Sequence, residues 1–123
     1  MKQMTAIRLC CIARDEAASM PALAAATKTW IDSWLIVHNG PPDGTREAAE
    51  AAFAGVPGRV VESELAEFDF GSARNEMLSL AAEPGIYLLV IDPDCPPVGA
   101  ITEELTEPVY CIEMRGFGKS WWI

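Results

Sequence analysis

The sequence predicts an α/β domain built on a mostly parallel sheet. Strand-like and helix-like stretches alternate three times with short connections, the pattern of βαβ units with right-handed crossovers. The connections carry the turn residues, as in Asn39-Gly40-Pro41-Pro42-Asp43-Gly44. A wholly apolar run, Ile86-Tyr87-Leu88-Leu89-Val90-Ile91, reads as a buried strand and is followed at once by Asp92-Pro93-Asp94.

Each element has a local reason. Residues 6–13 are apolar around Arg8 and read as the first strand. The Ala-rich residues 15–29 read as a helix, with Asp15 as its cap and Glu16 in the first turn, where the dipole favours a carboxylate. Pro21 weakens the early turns of that helix. Residues 34–37 are a short second strand. Asp43 or Thr45 opens a helix over 46–54, which stops near Gly55. Residues 59–62 form a third strand, and 72–82 a third helix ended by Pro84-Gly85. Residues 86–91 are the fourth strand and 109–114 a fifth. No internal repeat or low-complexity tract interrupts the series.

Size and composition bound the function. At 123 residues one domain, 1–123, is expected. The net charge of −9 argues against nucleic acid as a partner, because a phosphate-backbone binder needs excess Lys and Arg. No apolar run reaches the roughly 18 residues of a membrane span. Met1-Lys2-Gln3-Met4 lacks the features of a signal peptide, so a cytoplasmic location is expected. Cys10, Cys11, Cys95 and Cys111 form no Cys-x-x-Cys pair, which leaves zinc and thioredoxin-like signatures absent. Cys10 and Cys11 read as small hydrophobes within a strand, and Cys95 as a loop residue. Gly118-Lys119-Ser120 lacks the upstream Gly of a phosphate loop, and there is no Gly-x-Gly-x-x-Gly. A P-loop NTPase or dinucleotide oxidoreductase is therefore not expected.

Four polar clusters fall at strand ends or helix starts: Arg14-Asp15-Glu16, residues 38–45, residues 70–75, and Asp92-Pro93-Asp94. Ligands of open α/β sheets bind beyond the C-terminal ends of strands. Paired carboxylates there suit a hard divalent cation that shares its shell with substrate phosphates. The loops after the second and fourth strands are thus candidate clefts. Arg74 can grip a phosphate bidentately, or it can pair with a carboxylate and tie helix to sheet. His38, the single histidine, has no His or Cys partner at metal spacing. Ser72 reads as a helix cap, since no His-based activation is visible near it.

In this order the clusters resemble those of family 2 glycosyltransferases with the GT-A fold. Leu9-Cys10-Cys11-Ile12-Ala13-Arg14-Asp15-Glu16 looks like the family's first strand and acidic turn. Ile36-Val37-His38-Asn39-Gly40-Pro41-Pro42-Asp43-Gly44-Thr45 is similar in register to its Asp-x-Gly-Ser-x-Asp-Gly-Thr loop. Phe70-Gly71-Ser72-Ala73-Arg74-Asn75 resembles its Phe-Ser-x-Ala-Arg-Asn helix start, and Ile91-Asp92-Pro93-Asp94 its Asp-x-Asp. The likeness spans residues 5–115. It implies a three-layer α/β/α, Rossmann-like GT-A nucleotide-diphospho-sugar-binding fold, truncated at its C-terminus. It further implies that Asp92 and Asp94 hold Mg²⁺ or Mn²⁺ against the diphosphate of a nucleotide-sugar donor. The metal would stabilise the leaving nucleoside diphosphate. Arg14, Asp15, Glu16, His38, Asp43, Arg74 and Asp92 would surround the donor. Glu16 would lie near the nucleoside, Arg74 would neutralise phosphate or order the acidic loop, and Asp43 would close the loop after the second strand.

Two departures bear on activity. His38 stands where the family carries an acidic residue that contacts the base. The chain also stops at Ile123, where family members continue into an acceptor-binding half that normally supplies the general base. Glu103 and Glu104 read as an exposed acidic stretch. Trp121-Trp122-Ile123 are expected to pack on the core or to cover an interaction surface, which implies a homo-oligomer or a separately encoded second half. The acceptor is unknown. The rival expectations are an inactive binding or assembly module, a metal-dependent nucleotidyltransferase, and a plain structural domain.

Overall fold

The computed structural model describes residues 6–109, and the backbone alone of 113–116 and 119–122. Strands β1 (Ala6–Ala13), β2 (Ser33–His38), β3 (Gly58–Glu62) and β4 (Ile86–Val90) form one sheet in the order β3-β2-β1-β4. Every pair in it is parallel. Helix α1 (Met20–Thr27) lies between β1 and β2, α2 (Thr45–Ala52) between β2 and β3, and α3 (Phe70–Ala81) between β3 and β4. The α/β class and the parallel sheet are as the sequence predicts. Among the described residues no helix is long and apolar enough to cross a membrane.

The chain runs outward from β1 to β2 to β3, then returns to set β4 on the other edge of β1. Crossovers of one hand that run in opposite directions cover opposite faces, and the core follows that rule. Ile7, Leu9 and Cys11 of β1 cluster with Met20 and Leu23 of α1 and with Ala49 and Phe53 of the α2 segment. Cys10, Leu35 and Val37 cluster instead with Met77 and Ala81 of α3. Adjacent strand residues point to opposite faces, so β1 serves both clusters. The reversal of route lies between β1 and β4, the position at which ligands of open α/β sheets bind beyond the C-terminal strand ends.

Trp34 and Phe53 anchor the larger cluster. Their rings stack at 5.1 Å between centroids, and Trp34 Nε1 donates to the Val56 carbonyl at 2.9 Å. Gly58 lies against this clamped ring, where an added Cβ would stand 2.3 Å from Trp34 ring atoms. Gly58→Ala is therefore expected to destabilise the fold by about 1–3 kcal/mol, as overpacking does. A lowered urea midpoint at unchanged slope is the measurement.

Several element ends differ from expectation. Asp15 and Glu16 do not begin a helix. Asp15 is left-handed at φ 55°, a 3-10 turn covers Ala17–Ser19, and α1 begins only at Met20. Pro21 is the reason, because its ring clashes with a carbonyl four residues upstream in a continuous helix. Helix α3 begins at Phe70, and its cap is Asp69, whose carboxylate accepts from the Ser72 N–H at 2.9 Å and from its hydroxyl at 2.8 Å. Ser72 is thus the partner of the cap. Strand β4 ends at Val90. Of the expected strand over 109–114, residues 110–112 lie outside the described residues, and 113–114 fall in β5 (Glu113–Gly116), paired antiparallel with β6 (Lys119–Trp122) in a separate two-stranded sheet. The side chains of Trp121, Trp122 and Ile123, on which self-association was expected to rest, lie outside the described residues, as does Cys111.

Candidate functional site

At the reversal point two turns meet. Beyond β1 comes Arg14-Asp15-Glu16. Beyond β4, pairing continues one residue through the Ile91 N–H to the Cys10 carbonyl at 3.2 Å, and a tight turn follows. Its Cys95 N–H donates to the Asp92 carbonyl at 3.0 Å, and Pro93 is buried beneath it. That turn sends the side chains of Asp92, Asp94 and Cys95 to the surface, with one ligand atom from each lying within 4.8 Å of the others. Asp92 and Asp94 are thus brought together.

The donor set suits a hard cation. Burial, the charge of Asp94, a hydrogen bond to Asp94, and the charges of Asp92 and Glu16 all push the Cys95 thiol up, so at neutral pH it stays protonated. The anionic donors of the cluster are then two carboxylates, and their exposure leaves positions for water and phosphate oxygens. Glu16 adds a second observation. Its Oε2 is buried and has no hydrogen-bond partner among the described residues, an arrangement that native structures rarely leave unresolved. Asp94, Asp92 and Glu16 all act electrostatically on Cys95, and Asp92 and Glu16 also on Cys11, which places the three carboxylates in one field. Cys10 and Cys11 are buried thiols, Cys10 pushed up by burial to about 12, and behave as core residues.

The loop after β2 braces the turn after β1. Asp43 Oδ2 accepts from the Asp15 N–H at 2.6 Å, and Thr45 Oγ1 accepts from the Glu16 N–H at 3.1 Å. Asp43 Oδ1 takes the Thr45 N–H at 3.0 Å, so Asp43 also satisfies a donor at the start of α2. Arg14 lies over Gly40, where an added Cβ would meet Nε at 3.1 Å; at φ 99° that position favours glycine in any case. His38 is buried at the end of β2, with Nδ1 2.6 Å from Glu62 Oε1 and Nε2 3.0 Å from Asp43 Oδ2. Arg46 completes the row by donating to Glu62 Oε2 at 2.7 Å.

These contacts explain the charge states. Hydrogen bonds from Thr45 and His38 hold Asp43 well below the usual carboxylate range. The hydrogen bond to His38, helped by Arg46, lowers Glu62. Burial opposes the charge on His38, yet the hydrogen bonds to Glu62 and Asp43 outweigh it and raise His38 above its ordinary value.

Arg74 stands apart. It is exposed, its guanidinium lies 5.1 Å from the centre of the Phe70 ring, and it makes no ion pair among the described residues. It therefore ties no helix to the sheet through a described carboxylate. Phe68 and Phe70, both half-exposed, meet edge-to-face at 6.4 Å beside it. Glu103 and Glu104 are exposed in a segment without regular structure. Glu62 is the neighbour of the candidate site that sequence reasoning missed. Its link to His38 comes from the β2–β3 register, which pairs the two residues directly.

Comparison with protein-family models, curated proteins and solved structures finds no match to this chain.

Proposed function

We propose that this chain is a glycosyltransferase-like domain of the three-layer α/β/α GT-A type. It binds a nucleotide-sugar through Mg²⁺ or Mn²⁺ and transfers the sugar to an acceptor, working in the cytoplasm. One observation carries the reading: Asp92 and Asp94 converge at the point where the sheet's route reverses, beside the turn that carries Glu16. In this reading Asp92 and Asp94 hold the cation. When bound, it supplies Lewis-acid stabilisation to the departing diphosphate. Arg14 and Arg74 offer the cations that an acidic chain needs to receive an anionic donor. The braced Asp15–Glu16 turn forms the wall on the β1 side.

A second reading, an inactive binding or assembly module, is favoured by His38. Both its ring nitrogens are occupied by carboxylates, so it has no nitrogen left to serve as a base or to contact a nucleobase. Calorimetric titration with UDP, GDP, CDP and dTDP, with and without Mn²⁺, separates the two. Binding of a nucleotide only with metal supports the donor site, and no binding of any supports the module.

A further inference from the structure

His38 is the single histidine of the chain, and it is buried between two carboxylates. An ionised carboxylate only accepts, and a neutral imidazole has one N–H. Contacts of 2.6 Å to Glu62 and 3.0 Å to Asp43 are both satisfied only by the doubly protonated ring. The same Asp43 oxygen that faces His38 also holds the Asp15 N–H at 2.6 Å. Asp15 sits at φ 55°, a backbone region that residues other than glycine visit infrequently. That turn persists because its surroundings hold it, and Asp43 is the anchor.

We infer that His38 is a positioning residue whose imidazolium form clamps Asp43 onto the Arg14-Asp15-Glu16 turn, and that loss of one proton from the ring releases the turn. The chemistry decides which contact breaks. The remaining proton stays on Nδ1 with Glu62, the nearer partner. Nε2 then turns a lone pair towards the anionic Asp43 oxygen, and attraction becomes repulsion. Asp43 withdraws and takes with it the acceptor for the Asp15 N–H. The charged groups facing the ring are Glu62 of β3 and Asp43 of the loop before α2, with Arg46 of α2 acting through Glu62. On β1 the paired residue is Ala13, which does not titrate.

The sign follows from the contacts. His38 is raised, so the clamp is whole below the ordinary value of about 6.5 and opens as pH rises through the higher folded value. Glu62 and Asp43 are both lowered, so the carboxylate side of the clamp survives until pH falls below the usual carboxylate range.

A single histidine makes the test direct, because its ring signals need no assignment. Two-dimensional ¹H–¹⁵N spectra of the wild-type chain are recorded across pH. The expected result is a His38 midpoint above about 6.5, with the Asp15 amide moving at the same midpoint. In His38→Gln the Asp15 amide loses that titration, and in Asp43→Asn the His38 midpoint drops. A His38 midpoint at or below its ordinary value, or an Asp15 amide indifferent to it, overturns the inference, and the wild-type titration decides this even if a variant fails to fold.

A second arm rests on the proposed metal site. Mn²⁺ affinity at a plain carboxylate pair stays level or rises with pH. Here it is expected to fall by about tenfold through the His38 midpoint, the scale of a lost supporting contact. A level profile overturns the link between clamp and site. Failure of Mn²⁺ to bind at all counts against the metal site alone, because the ring and amide titrations use no metal.

Discussion

Replacing Asp92 and Asp94 together by Asn is expected to abolish metal-dependent nucleotide binding while leaving the fold intact. The two side chains are exposed on a turn whose shape is held by the backbone bond from Cys95 to Asp92 and by buried Pro93. Surface changes of this kind usually alter stability by less than about 0.5 kcal/mol. Their effect on the cation is of another order. Carboxylate sites take their affinity from the charge of their ligands, and the substitution removes both anionic donors of the cluster. Mn²⁺ affinity should fall on the order of a hundredfold or more, with an unchanged far-ultraviolet spectrum and urea midpoint. Calorimetric binding that survives in the double variant would refute the role of the pair. Glu16, whose buried oxygen has no partner among the described residues, then becomes the residue to examine for a different ligand.

Phe53→Ala is expected to cost about 3–5 kcal/mol, the range for removing a buried aromatic ring. Phe53 has no exposed surface, stacks on Trp34 and joins the α2 segment to the sheet. Domains of this size hold about 5–15 kcal/mol in all, so the loss is a large part of the total. Phe53→Leu fills much of the same space and should cost far less. The measurement is the urea midpoint of both variants, and similar midpoints would show that the stack is not what anchors α2. The effect should be on stability rather than on ligand binding. Phe53 packs against Trp34 at the start of β2, at the opposite end from His38.

Legibility in the sequence depended on whether a feature is local. The fourth strand and its acidic turn were readable because an apolar run and the residues that end it are neighbours in the chain. The loop after β2 was readable from its Gly and Pro content. Asp15 was expected to cap a helix, and the local signal for that is sound. Pro21 and the hydrogen bonds that the Asp15 and Glu16 N–H groups donate to Asp43 and Thr45 overrode it, and those acceptors lie 28 and 29 residues further along the chain. The antiparallel pairing of 113–116 with 119–122 was not readable, because a short strand carries no mark of its partner.

By itself the sequence determined the order of strands and helices, the parallel sheet they imply, and the place of Asp92 and Asp94 at a strand end. These follow from periodicity and composition within short windows. Only the tertiary structure decided that the turns after β1 and β4 are neighbours, that Glu62 stands opposite His38, and that Asp43 reaches back to Asp15. Those facts depend on strand order and register, which set the distances between residues far apart in the chain and leave no trace in any local window.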